Sequence, residues 1–236
     1  MRWSILVLAV AAATACSKQT PDDAAGNNAA SAHAAVAPAG NAAANKDASP
    51  SFDCARADGQ AQELICSDTE LAAMDRELAR LYALAEADPQ MPKPAQAELK
   101  AMQRGWVKGR DDCWKADDLR QCVVSNYAER IHRLRQGSKA ARADVPQSIS
   151  VGPLAYRCEG LGALIGATYI NSEPGAVFLE WGPNDAHTLK HAMSGSGARY
   201  TAPVQGGEMV FWNKGKDATL TVPGKPDYKC TEDEIG

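Results

Sequence analysis

The spacing of apolar positions changes character several times along the chain. From Met1 to Ala15 they form a block: "MRWSILVLAVAAATAC" has one Arg, an apolar run from Ile5 to Ala13, and small residues before Cys16. That run is too short to cross a bilayer as a mature helix and has the layout of a secretory signal. From Ser17 to about Ser51 large apolar residues almost vanish, replaced by Ala, Asn, Pro, Ser and Asp. Such a composition buries too little surface to offset chain entropy, so residues 16–51 are expected to be a disordered tether. Its reach is on the order of 30 Å.

Between Phe52 and Gln136 the period is helical. Ser67 followed by Glu70 has the form of a capping box, and Leu71, Met74, Leu78, Leu81 and Tyr82 then recur at helical spacing. Pro89, Pro92 and Pro94 end that helix. A second is expected from Ala95, with Leu99, Met102, Trp106 and Cys113 on one side. A third is expected from Asp118, with Leu119, Val123, Tyr127, Ile131 and Leu134 aligned. Three amphipathic helices with short connections predict a small antiparallel bundle over 52–137. The segment "GSKAARADVPQS" then reads as a linker over 138–150.

Past the linker the helical period disappears. Short runs rich in β-branched and aromatic residues take over: "LAYRC", "LIGATYI", "AVFLEW", "HTLKHAM", "ARYTAPV", "EMVFWNK", "DATLTV" and "YKC". The segments between them, such as "NSEPG", "GPND", "SGSG" and "PGKPD", have turn chemistry. This pattern predicts an antiparallel β-barrel or small sandwich over 151–236. The fold class is therefore α+β in separate domains, a helical bundle followed by an antiparallel barrel.

Composition narrows the picture. The chain of 236 residues is 45% hydrophobic and 23% charged, with a net charge of -4. No Lys/Arg cluster stands free of interleaved Asp and Glu, so no nucleic-acid partner is expected. The mild acidic excess fits a basic partner. The Ala13-Thr14-Ala15-Cys16 ending resembles the lipobox of bacterial lipoproteins. That resemblance implies removal of residues 1–15 and acylation of Cys16, and Ser17 in the next position implies sorting to the outer membrane. Acyl chains at about 0.8 kcal/mol per buried CH₂ make such an anchor stable.

Of seven cysteines, six remain once Cys16 is set aside, an even number for an oxidising compartment. Cys54, Cys66, Cys113 and Cys122 fall where the end of the second helix meets the starts of the first and third. All three pairings are open to them, with a lean to Cys54 with Cys66 and Cys113 with Cys122. Cys158 and Cys230 could close almost the whole β-domain, a loop worth on the order of 4 kcal/mol.

Two resemblances to known families follow from particular stretches. "FDCARA", "ELICSDTELAAMDRELARLY", "QRGWVKGRDDC" and "CVVSNYAERIHRL" resemble the LprI-type domain of secreted bacterial proteins, which is associated with lysozyme inhibition. "YRC" at 156–158, "SGSGARY" at 194–200, "FWNKG" at 211–215, "DATL" at 217–220 and the closing Cys230 resemble the MliC/PliC inhibitors of c-type lysozyme. The second resemblance implies an eight-stranded antiparallel barrel. It also implies a plug: the loop from Ser194 to Tyr200 enters the active-site cleft of host lysozyme, with Ser196 and Lys214 as the principal groups. A retaining glycosidase holds two carboxyl groups about 5 Å apart. A hydroxyl can donate to one and an ammonium can pair with the other.

The remaining motif residues have supporting tasks. Gly195 and Gly197 allow a narrow loop with backbone angles that a Cβ would oppose. Tyr200 and Trp212 either brace the loop from the barrel or contact the cleft rim. Two departures from the family pattern stand out: the segment "TAPVQGGEMV" is longer, implying an extended hairpin, and Gly195 replaces a common Ala.

No enzyme is expected. His187 and His191 read as one alternating strand face without a ligand partner, and Glu159, Glu173 and Glu180 fall at turns or strand ends. No cofactor or metal is expected either. The partners implied are c-type lysozyme and, through the lipid, the outer membrane, with a homodimer left open. The competing reading is a non-catalytic envelope-binding or scaffold lipoprotein.

Overall fold

The computed structural model describes residues 49–143 and 145–233. The expected signal segment, the lipidation site Cys16 and residues 16–48 of the expected tether lie outside the described residues.

Among the described residues, five α-helices precede eight strands: α1 (Gln60–Ser67), α2 (Thr69–Glu86), α3 (Lys93–Asp111), α4 (Leu119–Gly137) and α5 (Lys139–Arg142). The expected capping box at Ser67 gives way to Asp68. Asp68 Oδ1 accepts from Leu71 N at 3.1 Å. The Ser67 hydroxyl instead donates back to the carbonyls of Glu63 and Leu64, finishing a helix the apolar pattern was too short to announce. Asp118 caps α4 as its position predicts, accepting from Gln121 N at 2.8 Å. Pro94 sits in the first turn of α3, where its missing N–H costs nothing.

Disulfide Cys54–Cys66 closes on α1, and Cys113–Cys122 ties the end of α3 to the start of α4. Leu71, Met74, Leu78 and Leu81 of α2 pack on Val123, Tyr127, Ile131 and Leu134 of α4, all at most 2% exposed. Arg110 and Asp75 lie 3.7 Å apart in this interior, both bonded to the Tyr127 hydroxyl. Helix α3 is different: only Arg110 of its residues is buried. Met102, expected on its inner side, is 51% exposed.

The eight strands are β1 (Ser150–Cys158), β2 (Leu164–Ile170), β3 (Ala176–Glu180), β4 (Ala186–Ala192), β5 (Ala198–Val204), β6 (Gly207–Lys214), β7 (Asp217–Thr221) and β8 (Tyr228–Asp233). Each pairs antiparallel with its neighbour, and β8 returns to β1 to close a barrel. Cys158 and Cys230 stand opposite each other across the closing seam and are bonded there. Tyr156, Ile165, Leu179, Leu189, Phe211 and Leu220 fill the interior.

The helices and the barrel are in direct contact. Strands β2 and β3 do not alternate cleanly between buried and exposed residues, because both of their faces are covered. Tyr169, Val177 and Leu179 face the barrel interior, whereas Ile170, Ala176 and Phe178 join the helical core. The segment 138–150, expected as a linker, contains α5, and its described residues are tied to α4 through Arg142 and to α2 through Ser148 and Ser150. Arg135 Nε donates to the Gly152 carbonyl, and the hydroxyls of Ser148 and Ser150 donate to Glu77 Oε1 at 2.7 and 2.5 Å. Ser and Ala are its commonest residues, and the burial of Ser150 depends on Glu77, a partner distant in sequence.

Glu70, near the start of α2, connects the two parts. It is 4% exposed and accepts from Arg120 Nη2 at 2.5 Å, Ser172 Oγ at 2.9 Å and Gly175 N at 3.0 Å. The Gly175 carbonyl in turn accepts from His191 N at the end of β4. Replacing Glu70 by Gln keeps the shape but removes the charge from three bonds, and is expected to lower unfolding free energy by about 2 kcal/mol. Denaturant titration of the wild type and variant checks this, and an unchanged midpoint would refute the tie.

Candidate functional site

The barrel places the two quoted C-terminal motifs side by side. The turns β2–β3, β4–β5 and β6–β7 emerge at one end of the up-and-down barrel, and those after β1, β3, β5 and β7 at the other. Residues 193–197 form the β4–β5 loop, and Lys214 ends β6. The ladder between β5 and β6 pairs Ala198 with Asn213, Arg199 with Trp212 and Tyr200 with Phe211, so the loop lies against the last residues of β6.

The longer segment noted in the sequence leaves this arrangement intact. The ladder runs without a register shift from Ala198↔Asn213 to Val204↔Gly207, closed by a tight turn at Gln205 and Gly206. The additional residues therefore lengthen the hairpin at the far end of the barrel, away from Ser196 and Lys214. Gly206 in this turn has a φ of +90°, which glycine adopts without the cost a Cβ brings.

Gly197 brings the loop and β6 into contact. Its φ is +67°, and a Cβ there would stand 2.3 Å from the Asn213 carbonyl oxygen and 2.6 Å from Lys214 Cγ. Only a glycine lets the two backbones approach so closely. Gly195 is its opposite: a Cβ there would meet nothing within 4 Å. The two glycines of the motif thus do separate jobs, one at a contact and one at an open tip.

Trp212 joins the principal groups. Its indole N–H donates to the Ser196 carbonyl at 2.8 Å, and the Lys214 ammonium lies 4.2 Å from the centroid of its ring. The ring face attracts a cation, so Lys214 is held beside the loop, and among the described residues no carboxylate pairs with it. Inside the loop, Ser194 Oγ donates to the Ser196 carbonyl at 2.7 Å and accepts from Ser196 N at 3.3 Å. Residues 193–197 are exposed, with Met193 at 96%. The result is a protrusion that is ordered by its own hydrogen bonds and presents a hydroxyl and an ammonium to solvent.

Tyr200 lies beneath the loop rather than on it. It is 7% exposed, with its ring 5.8 Å from Tyr169 and 5.5 Å from His191. Burial pushes its phenol above the ordinary value, aided by the neighbouring Tyr156. Tyr156 and Tyr169 share a hydroxyl–hydroxyl bond of 2.8 Å. These rings, with Asn213 and Glu232, line an open recess of about 330 Å³ beside the two motifs.

Of the residues weighed for catalysis, Glu159 and Glu180 lie toward the other end, Glu173 is an exposed residue of the β2–β3 turn, and the rest are engaged. Glu180 accepts from both Arg133 nitrogens at 2.6 and 2.8 Å, and that pairing holds its carboxyl below the usual range. His187 stacks on Trp181 and His191 sits against Tyr200. Among the described residues, no group of three His, Cys, Asp or Glu is placed to hold a metal ion.

Sequence reasoning did not single out Asn213, whose carbonyl forms the contact with Gly197, or His132, and it gave Glu70 only a capping role; the last two join the helices to the barrel. An available signal was the unbroken apolar run in β2 and β3, which marks strands covered on both faces.

Comparison with known proteins finds two inhibitor families along the chain. Residues 156–229 match the model of the family described as membrane-bound lysozyme-inhibitor of c-type lysozyme, and residues 54–145 match that described as lysozyme inhibitor LprI. One chain of a crystal structure of Pseudomonas aeruginosa MliC in complex with hen egg white lysozyme is 24% identical, with a TM-score of 0.30. That alignment covers 39% of the present chain and 92% of the solved one. Lipoprotein LprI of Mycobacterium tuberculosis and of Mycobacterium bovis are each 33% identical over 154 residues, or 65% of this chain and 72% of theirs. Both family descriptions are of inhibitors, proteins that bind and do not turn over. With the helical module of one inhibitor family and the barrel of another in that order, and this extent of identity, the chain belongs to the LprI lipoprotein family.

Proposed function

We propose that this protein inhibits c-type lysozyme by inserting the exposed tip of the Ser194–Tyr200 loop, together with Lys214, into the enzyme's active-site cleft, with Tyr200 bracing the loop from beneath, and so protects peptidoglycan. The observation that carries this reading is the convergence at Gly197, where the Ser-Gly loop meets β6 and Trp212 holds both Ser196 and Lys214. The target cleft contains two carboxyl groups, and the protrusion offers a neutral donor and a cation. An ammonium resting on an aromatic face gives up less on binding than one already paired with a carboxylate, which favours transfer to the enzyme. Loop order acquired before binding reduces the entropy lost on association.

The same reading places the protein at the cell envelope, held by a lipid on Cys16 and sorted to the outer membrane. Among the described residues no helix is long and apolar enough to cross a membrane. The helical region then acts as a brace: Glu70 and α4 hold β2 and β3, and the β2–β3 turn bonds to the end of β4 where the plug loop begins.

The test is inhibition of a c-type lysozyme on cell-wall substrate by the full chain and its variants. Ser196→Ala is expected to weaken inhibition about tenfold and Lys214→Ala about a hundredfold. The double variant is expected to be inactive as an inhibitor. Inhibition by the wild type should also weaken at high salt, because an ion pair contributes to it. If the double variant inhibits like the wild type, the plug is wrong. If the wild type does not inhibit at all, an envelope-binding or scaffold role replaces it.

A further inference from the structure

Helix α4 carries an arginine that the lysozyme reading does not use. Arg130 is 5% exposed, and its Nη2 is buried without a hydrogen-bond partner. Its Nε donates to Gln103 Oε1 at 3.0 Å, a neutral acceptor on α3. A buried guanidinium without an anion is costly, and chains normally avoid one. Burial accordingly pushes its pKa below the ordinary value. The neighbouring Arg133 is in a different state, committed to Glu180 and Glu129.

Among the described residues no carboxylate pairs with Arg130, and space adjoins its side chain. Two recesses of about 260 Å³ each lie beside α3, and both are lined by Met102, Arg130 and Arg133. The walls of the first are mainly apolar, from Met91, Leu99 and Leu134. Met102 and Met91 are flexible side chains that re-pack readily around a guest. Helix α3 buries little of itself, so its inner edge can shift without loss of a large core.

The geometry points to a binding site for a carboxylate carried on a short apolar chain, with the carboxylate on Arg130 and the chain lying between α3 and α4. Three features favour that class. The volume fits a small ligand, just below the usual range for pockets. The planar guanidinium matches a carboxylate in shape and charge. Glu98 at the rim disfavours a dianion such as a phosphate monoester more than a monoanion. This site is distinct from the plug end of the barrel and stands or falls independently of lysozyme inhibition.

Calorimetric titration of the full chain with decanoate, below its micellar concentration, tests the site. One decanoate is expected to bind per chain, about tenfold or more tighter than decanol, the difference being one charge-assisted bond. Arg130→Met removes the charge at similar size and should reverse that order. Met102→Trp fills the recess, keeps Arg130 and should abolish decanoate binding, which decides the matter if the Arg130 variant does not fold. Equal affinity for decanoate and decanol overturns the proposal, as does unchanged decanoate binding in a folded Arg130→Met or Met102→Trp. Absence of binding in the wild type also overturns it, leaving a hydrated arginine only.

Discussion

Gly197→Ala is expected to remove lysozyme inhibition at least as fully as the paired Ser196 and Lys214 substitutions, although it deletes no binding group. A methyl at this position would lie 2.3 Å from the Asn213 carbonyl oxygen, which belongs to the β5–β6 ladder and cannot withdraw cheaply. The positive φ adds a backbone penalty of about 1 kcal/mol for any L side chain. The loop is exposed and the ladder is long, so the loop is what moves. Its Ser196 carbonyl then leaves the Trp212 indole, and hydroxyl and ammonium no longer converge. Gly195→Ala is the matched control, because its Cβ meets open space. It should inhibit as well as the wild type or slightly better, since alanine narrows the free loop's ensemble. Inhibition assays of the two variants, with thermal unfolding to confirm that both are folded, give the answer. Full inhibition by Gly197→Ala would mean that the close approach of the motifs is not what makes the site.

Acid should loosen the contact between helices and barrel, with His132 as the main cause between neutral pH and about pH 4. The ring is fully buried between α4 and the outer face of β2 and β3. Its Nδ1 is 2.8 Å from the Thr168 hydroxyl, and its Nε2 is 3.3 Å from Glu180. Burial pushes its pKa down to about 4. The Glu180 carboxylate opposes that shift and Arg133 assists it. The folded value thus lies below the ordinary 6.5, so between the two the unfolded chain binds a proton that the folded chain refuses. The stability from neutral His132 is fully present above pH 6.5 and is lost as pH falls through about 4. The loss is on the order of 3 kcal/mol.

Glu180, with its pKa lowered by Arg133, adds a loss in the same direction at still lower pH. His132→Gln retains a hydrogen-bonding group for Thr168 but cannot titrate. Denaturant unfolding from pH 7.5 to 4.5 should therefore show a steep fall for the wild type and a shallower one for this variant. Parallel profiles would rule His132 out as the cause.

Much of the C-terminal half was legible in advance because β-structure of this kind is written locally. Short β-branched runs separated by turn chemistry located all eight strands, and each turn is made by the residues within it. The plug loop was legible for the same reason: Ser194, Gly195, Ser196 and Gly197 are consecutive, and Lys214 follows Trp212 by two positions. The helical half was less transparent. The short α1 has too few turns to show a period, and α5 is short and polar. The serine at 67 matched a cap pattern whose true cap was its neighbour Asp68.

The sequence by itself determined the order of helical and β regions, the motif that forms the candidate plug, and the set of cysteines available to staple each part. It could do so because these features depend on neighbours within a few residues. Only the tertiary structure decided that 138–150 is bound in place, that Phe178 and Ile170 belong to the helical core, and that the longer hairpin extends away from the site. It also decided the roles of Glu70, His132 and Arg130. Each of these is a polar residue on a helix, unremarkable in one dimension, and its chemistry is set by partners or cavities reached only when distant segments meet.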